Sequence, residues 1–127
     1  MQMNHLKILA VDSEYLIGMD IERILNDALG CTVTVLTPKL FGELAPMRQY
    51  DVAVIEGDGA FPEFSSFVAR AKSAASHVIF STADASFLRG VPGYEDMPVV
   101  MKPFDSRCLV SIVASVSALG GDLQPTI

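Results

Sequence analysis

Residues 52–62 read VAVIEGDGAFP. Four apolar residues, Val52 to Ile55, run up to a carboxylate, Glu56, and the chain then breaks into a Gly-rich turn that carries Asp58. A short apolar run bounded by turn residues reads as a strand covered on both faces, as in a parallel sheet. Two other segments end the same way. LKILAVDSE, residues 6–14, delivers Asp12, Ser13 and Glu14, and MPVVMKPFD, residues 97–105, delivers Lys102. Polar groups gathered at the ends of apolar strands predict a site along one edge of a sheet.

Outward from these stretches, strand and helix signals alternate. After the first strand, Ile17, Ile21, Ile24, Leu25 and Ala28 fall on one helical face, with Ser13 as an expected N-cap and Gly30 as the stop. CTVTVLT is β-branched and predicts a second strand, and Pro38 suits the first turn of a short helix reaching about Met47. Phe64, Phe67, Val68, Ala71 and Ala75 make a helical stripe after the central strand. HVIFSTAD predicts a fourth strand ending near Thr82. Residues 83–96 carry Gly90, Pro92 and Gly93, so a helix there is short or distorted. A fifth strand, MPVVMK, precedes a helix whose inward face is Leu109, Ile112, Val113 and Val116. Five alternations predict an α/β domain with a parallel sheet, right-handed crossovers and helices on both faces. In such folds the working groups sit beyond the carboxyl ends of the strands.

The composition sets outer limits. A chain of 127 residues, half of them hydrophobic, suits one domain with a real core. No apolar run approaches the ~20 residues of a membrane span, and the start has no signal-peptide pattern. Cys31 and Cys108 lack metal or redox spacing and read as buried, reduced thiols, which suits the cytoplasm. A formal net charge of −6 argues against direct nucleic-acid binding. His5 and His77 have no metal-ligand spacing, and no motif of an ATPase, dinucleotide enzyme, serine hydrolase or zinc protease occurs.

Four segments in order, ILAVDSEYLIGMDIERIL, YDVAVIEGD, VIFSTAD and VVMKPF, resemble the receiver domain of two-component response regulators. The likeness spans roughly residues 6–119, and the compact segment between Thr82 and Lys102 resembles short single-domain receivers. It implies a flavodoxin-like, doubly wound five-stranded sheet of order 2-1-3-4-5. It implies a receiver-like domain over residues 1–119 and a flexible tail over 120–127. It also implies a site built from an acidic pair for Mg²⁺, an acceptor aspartate, a switch hydroxyl and a lysine. Carried over residue by residue, these fall on Asp12 and Ser13, Glu56, Thr82 and Lys102, with Val99 where an aromatic switch residue often stands. The resemblance extends to a cis bond between Lys102 and Pro103.

Two departures touch the chemistry. Ser13 replaces the second acid, so any Mg²⁺ would rest on Asp12, Glu56 and Asp58, weakly or not at all. Glu56 replaces the acceptor aspartate, and its extra methylene displaces the attacking oxygen by ~1.5 Å. Phosphoryl transfer depends on positioning, and a misplacement of ~1 Å costs on the order of 100-fold. The longer carboxylate is expected to reach Lys102 and Thr82 instead. Asp58, between two glycines, reads as a turn residue, with a replacement acceptor as the alternative.

The resemblance therefore implies an atypical stand-alone receiver in bacterial signal transduction, not an enzyme, acting through protein contacts without the usual phosphorylation. Its implied partners are a histidine kinase or another regulator, or a second copy through the surface over residues 84–117. The alternatives are a receiver that phosphorylates Glu56 or Asp58 with Mg²⁺, and a flavodoxin-like small-ligand binder.

Overall fold

The computed structural model describes residues 2–43, 49–58 and 63–121, the side chains of 119–121 excepted. The strands are β1 (Lys7–Val11), β2 (Thr32–Leu36), β3 (Tyr50–Glu56), β4 (Ala75–Thr82) and β5 (Val99–Met101). The helices are α1 (Tyr15–Leu29), α2 (Pro38–Gly42), α3 (Phe64–Ala74) and α4 (Ser106–Gly121), with a 3-10 turn at Ala85–Phe87. All strands are parallel and lie in the order β2-β1-β3-β4-β5. The expected topology is observed. Among the described residues no helix is long and apolar enough to cross a membrane.

Alternation along each strand divides the core into two layers. Ile8, Ala10, Val52, Val54, Ile79 and Val100 pack with Ile21, Leu25, Leu109 and Val113 of α1 and α4. Leu9, Val11, Ala53, Ile55, Val78 and Phe80 face Phe41 of α2 and Phe67, Val68 and Ala71 of α3. Each of these large side chains contributes about 1.5–3 kcal/mol by leaving water. The central strand VAVI is apolar throughout because both layers use it.

The local signals hold with a few adjustments. Gly30 ends α1 in the left-handed region at φ 71°, and Thr37 caps α2 by accepting from the Leu40 N–H. Ala28, assigned to the inner face of α1, is exposed, and Leu29 is buried in its place. The phase is 3.6 residues per turn over fifteen residues, and the face drifts by one position at the end. Ala75 is buried as the first residue of β4 rather than as part of α3. Cys31 is buried as expected, but Cys108 is exposed on the outer side of α4. The short helix after Pro38 is seen over Pro38–Gly42. It does not extend to about Met47 as expected, since Gly42 is its last residue and Glu43 its C-cap. Of the expected tail over 120–127, residues 120 and 121 belong to α4, and 122–127 lie outside the described residues.

The segment between β4 and β5 contains only the 3-10 turn as helix. Val91 and Tyr94 form a bridge, and Val91 is buried. The Tyr94 ring stands edge-on to Phe64 and Phe80, with centroids 5.8 and 5.9 Å away. This aromatic contact covers the β4–β5 end of the sheet where a full helix is missing.

Candidate functional site

The parallel register brings the polar residues to one edge. Val11 pairs with Ile55, Glu56 with Ser81, and Thr82 with Met101. Asp12, Glu56, Thr82 and Lys102 therefore end up at the carboxyl end of the sheet. Asp58 joins them two residues beyond β3.

Asp12 is almost wholly buried, with 1% of its surface exposed. Its Oδ1 accepts from the Glu14 N–H at 2.8 Å, and its Oδ2 accepts from Lys102 Nζ at 3.1 Å. The first contact organises the start of α1. Glu14, the N-cap, supplies no side-chain hydrogen bond of its own. Ser13 does not cap the helix as expected. Its N–H donates to Glu56 Oε1 at 3.0 Å and its hydroxyl to Glu56 Oε2 at 3.1 Å.

That bidentate contact corrects a second expectation. Glu56 does not pair directly with Lys102 or Thr82; both its oxygens are turned to Ser13. The reason is positional. Glu56 shares the side-chain parity of Val52 and Val54, which face α1, so it emerges beside the start of that helix.

Asp58 takes the contacts expected of Glu56. Its Oδ1 accepts a hydrogen bond from the Thr82 hydroxyl, and its Oδ2 lies 3.5 Å from Lys102 Nζ. The turn that allows this is tight: the Gly57 N–H donates to the Ser81 carbonyl at 2.8 Å. A Cβ on Gly57 would stand 2.8 Å from the Cβ of Phe80, so only glycine lets β3 leave the sheet so close to β4. Asp58 is thus more than a turn residue. The signal in the sequence was indirect: Thr82 and Lys102 both needed an acceptor, and Asp58 was the carboxylate within reach after Glu56.

Thr82 Oγ1 also accepts from the Asp84 N–H at 3.0 Å. Asp84 Oδ1 in turn accepts from the N–H and the hydroxyl of Ser86, at 2.9 and 2.7 Å. These bonds hold the Asp84 carboxyl below the usual carboxylate range, the Ser86 hydroxyl contributing most.

Lys102 is the one ammonium among three carboxylates. Burial opposes its charge, but the hydrogen bond and charge of Asp12, then the charges of Asp58 and Glu56, outweigh that and raise its pKa above the ordinary lysine value. Its backbone N–H donates to the Thr82 carbonyl at 2.8 Å, and the bond to Pro103 is cis, as the resemblance implied.

In this arrangement the carboxylates are engaged with protein donors rather than turned towards a common Mg²⁺ position. Among the described residues no group of three or more His, Cys, Asp or Glu side chains is placed to hold a metal ion. Both oxygens of Asp12, Glu56 and Asp58 face protein donors instead. Mg²⁺ keeps several of its waters and is held by one or two carboxylate oxygens that must be turned towards it.

Comparison with solved structures supports the fold. The receiver domain of a Francisella response regulator superposes with a TM-score of 0.65 at 21% identity, covering 90% of this chain and 98% of that one. A response regulator receiver protein from Burkholderia phymatum gives 0.72 at 20% identity, covering 89% and 95%. A Burkholderia thailandensis protein assigned to pilus assembly gives 0.70 at 15% identity, covering 89% and 98%. No family model and no curated protein matches the sequence. The fold is that of response-regulator receiver domains.

Proposed function

We propose that this chain is an atypical receiver module of bacterial signal transduction that works by protein contact and is not switched by phosphorylation of Glu56. It acts as a binding module rather than an enzyme, without a need for Mg²⁺, in the cytoplasm. The observation that carries this reading is the Ser13–Glu56 pair. The residue at the acceptor position is turned towards the serine that replaces the second acid, with both oxygens engaged. An attacking carboxylate oxygen has to face its phosphoryl donor in line, and transfer has little other source of rate than positioning and charge. The site residues Asp12, Ser13, Glu56, Thr82 and Lys102 then serve as structure. Its partners are signalling proteins, a histidine kinase or a second regulator, with the segment over 84–117 as the contact surface or as the face of a homodimer.

A second reading has one observation in its favour. Asp58 faces both Lys102 and Thr82, which makes it the better placed carboxylate for phosphorylation. The test of both is incubation with acetyl phosphate and Mg²⁺, read by intact mass and by amide NMR. No adduct and no shift at Glu56, Asp58, Thr82 or Lys102 is the expected result. An adduct mapped to Glu56 sinks the main reading, and one mapped to Asp58 establishes the second.

A further inference from the structure

Asp58 is the one carboxylate of the cluster that touches both the hydroxyl and the ammonium. One oxygen accepts from Thr82 and the other faces Lys102. Thr82 is a two-way junction. Its hydrogen goes to Asp58, which leaves the oxygen lone pairs for the Asp84 N–H. A hydroxyl has a single hydrogen to give, so the direction of this relay is set by the presence of an acceptor at Asp58. Asp84 then caps the 3-10 turn by accepting from the Ser86 N–H, and the Phe87 N–H returns to the Asp84 carbonyl at 3.0 Å. The chain of bonds runs without a gap from β3 to the start of the β4–β5 segment. At its other end that segment is pinned by Tyr94 against Phe64 and Phe80.

We propose that Asp58 is a built-in anion that occupies the Thr82–Lys102 donor pair and thereby latches the segment over 83–98 in one conformation. The inference rests on the reading of the site as one not phosphorylated at Glu56, and it deepens that reading by naming what fills the place of an external anion. Its geometry is that of two donors on neighbouring strands, β4 and β5, bridged by one carboxylate from a third. Charge-assisted bonds in a part-buried site are stronger than neutral ones and hold their partners in a defined orientation. A surface formed by 83–98 is then presented to a partner in a constant state.

Amide hydrogen exchange of the full chain tests this. In Asp58→Ala, protection at Asp84, Ser86, Phe87 and Leu88 falls by about tenfold or more, as expected for loss of a charge-assisted bond. Protection in β1 and β3 changes far less. Thr82→Val removes that bond from its other end and also the acceptor of the Asp84 N–H, so its local loss is at least as large, and adding Asp58→Ala to it lowers protection no further. Unchanged protection in 83–98, a uniform fall that includes β1 and β3, or additive losses in the double variant would each overturn the latch. The acetyl phosphate experiment on the wild type stands apart. A Glu56 adduct there removes the reading of function, whereas a silent Asp58→Ala removes only the latch.

Discussion

At the scale of single residues, the buried ion pair dominates. Asp12 is 1% exposed and Lys102 is 11% exposed at the side chain. Removing the ammonium leaves a buried carboxylate with only the Glu14 N–H for company. Lys102→Met is therefore expected to destabilise the fold by about 3–5 kcal/mol, measured as a shift of the urea midpoint. Asp12→Asn in the same chain should recover part of that loss, because the stranded charge is gone. The pH dependence follows from the raised lysine pKa. Its contribution is fully present below the ordinary value of about 10.4 and is lost only as pH rises through the higher folded value. The stability difference between wild type and Lys102→Met should thus be flat through neutrality and shrink above about pH 10.4. These residues were only partly legible beforehand. Lys102 at the exit of an apolar strand announced a carboxylate partner, and the positions of Asp12 and Thr82 followed from strand ends. Which carboxylate met which donor did not, because that depends on side-chain parity and on where Asp58 stands two residues beyond β3.

At the scale of elements, the exit of β3 is the point of least tolerance. Gly57 is held by the Ser81 carbonyl and faces the Cβ of Phe80 at a separation no side chain accepts. Gly57→Ala should cost about 1–3 kcal/mol through overpacking, visible as a lower thermal midpoint. Circular dichroism should retain the native helix content. The obstructing atom is next to the backbone of β4, so a rotamer change at Phe80 gives no relief. Periodicity foresaw α1, α3 and α4 well, since each buries one face against the sheet. It misjudged α1 by one residue at its end, Ala28 for Leu29, and α3 at its junction with β4. Both errors sit at boundaries, where a regular pattern meets tertiary packing. The weak helical signal over 83–96 matches a distorted segment, in which Gly90 and Gly93 adopt positive φ values of 125° and 89°.

At the scale of the whole molecule, two apolar layers share one sheet, and protection should follow that order. β1, β3 and β4 are internal in the strand order, and β2 and β5 are edges, β5 with only three residues. Native-state hydrogen exchange should show the slowest amides in the internal strands, and faster exchange in β5 and in the 3-10 turn. Comparable protection in β5 and β3 would contradict this ranking. The fold as a whole was legible because five apolar strands alternate with amphipathic helices, and few topologies satisfy that pattern with right-handed crossovers. The function was less so, since a fold supplies a crevice and not its chemistry.

The join between α3 and β4 has no connecting loop. Ala74 closes the helix and Ala75 opens the strand, with the Ala75 N–H still donating to the Ala71 carbonyl. The chain therefore has no slack there to absorb a shortening. One residue deleted there would have to be taken from the last turn of α3 or from β4, and a one-residue slip of β4 would send Thr82 to the opposite side of the sheet, away from Asp58. Tolerance of deletions is a property of genes as well as of structures. At this joint, loss of a codon sets the last turn of α3 against the register of the polar edge.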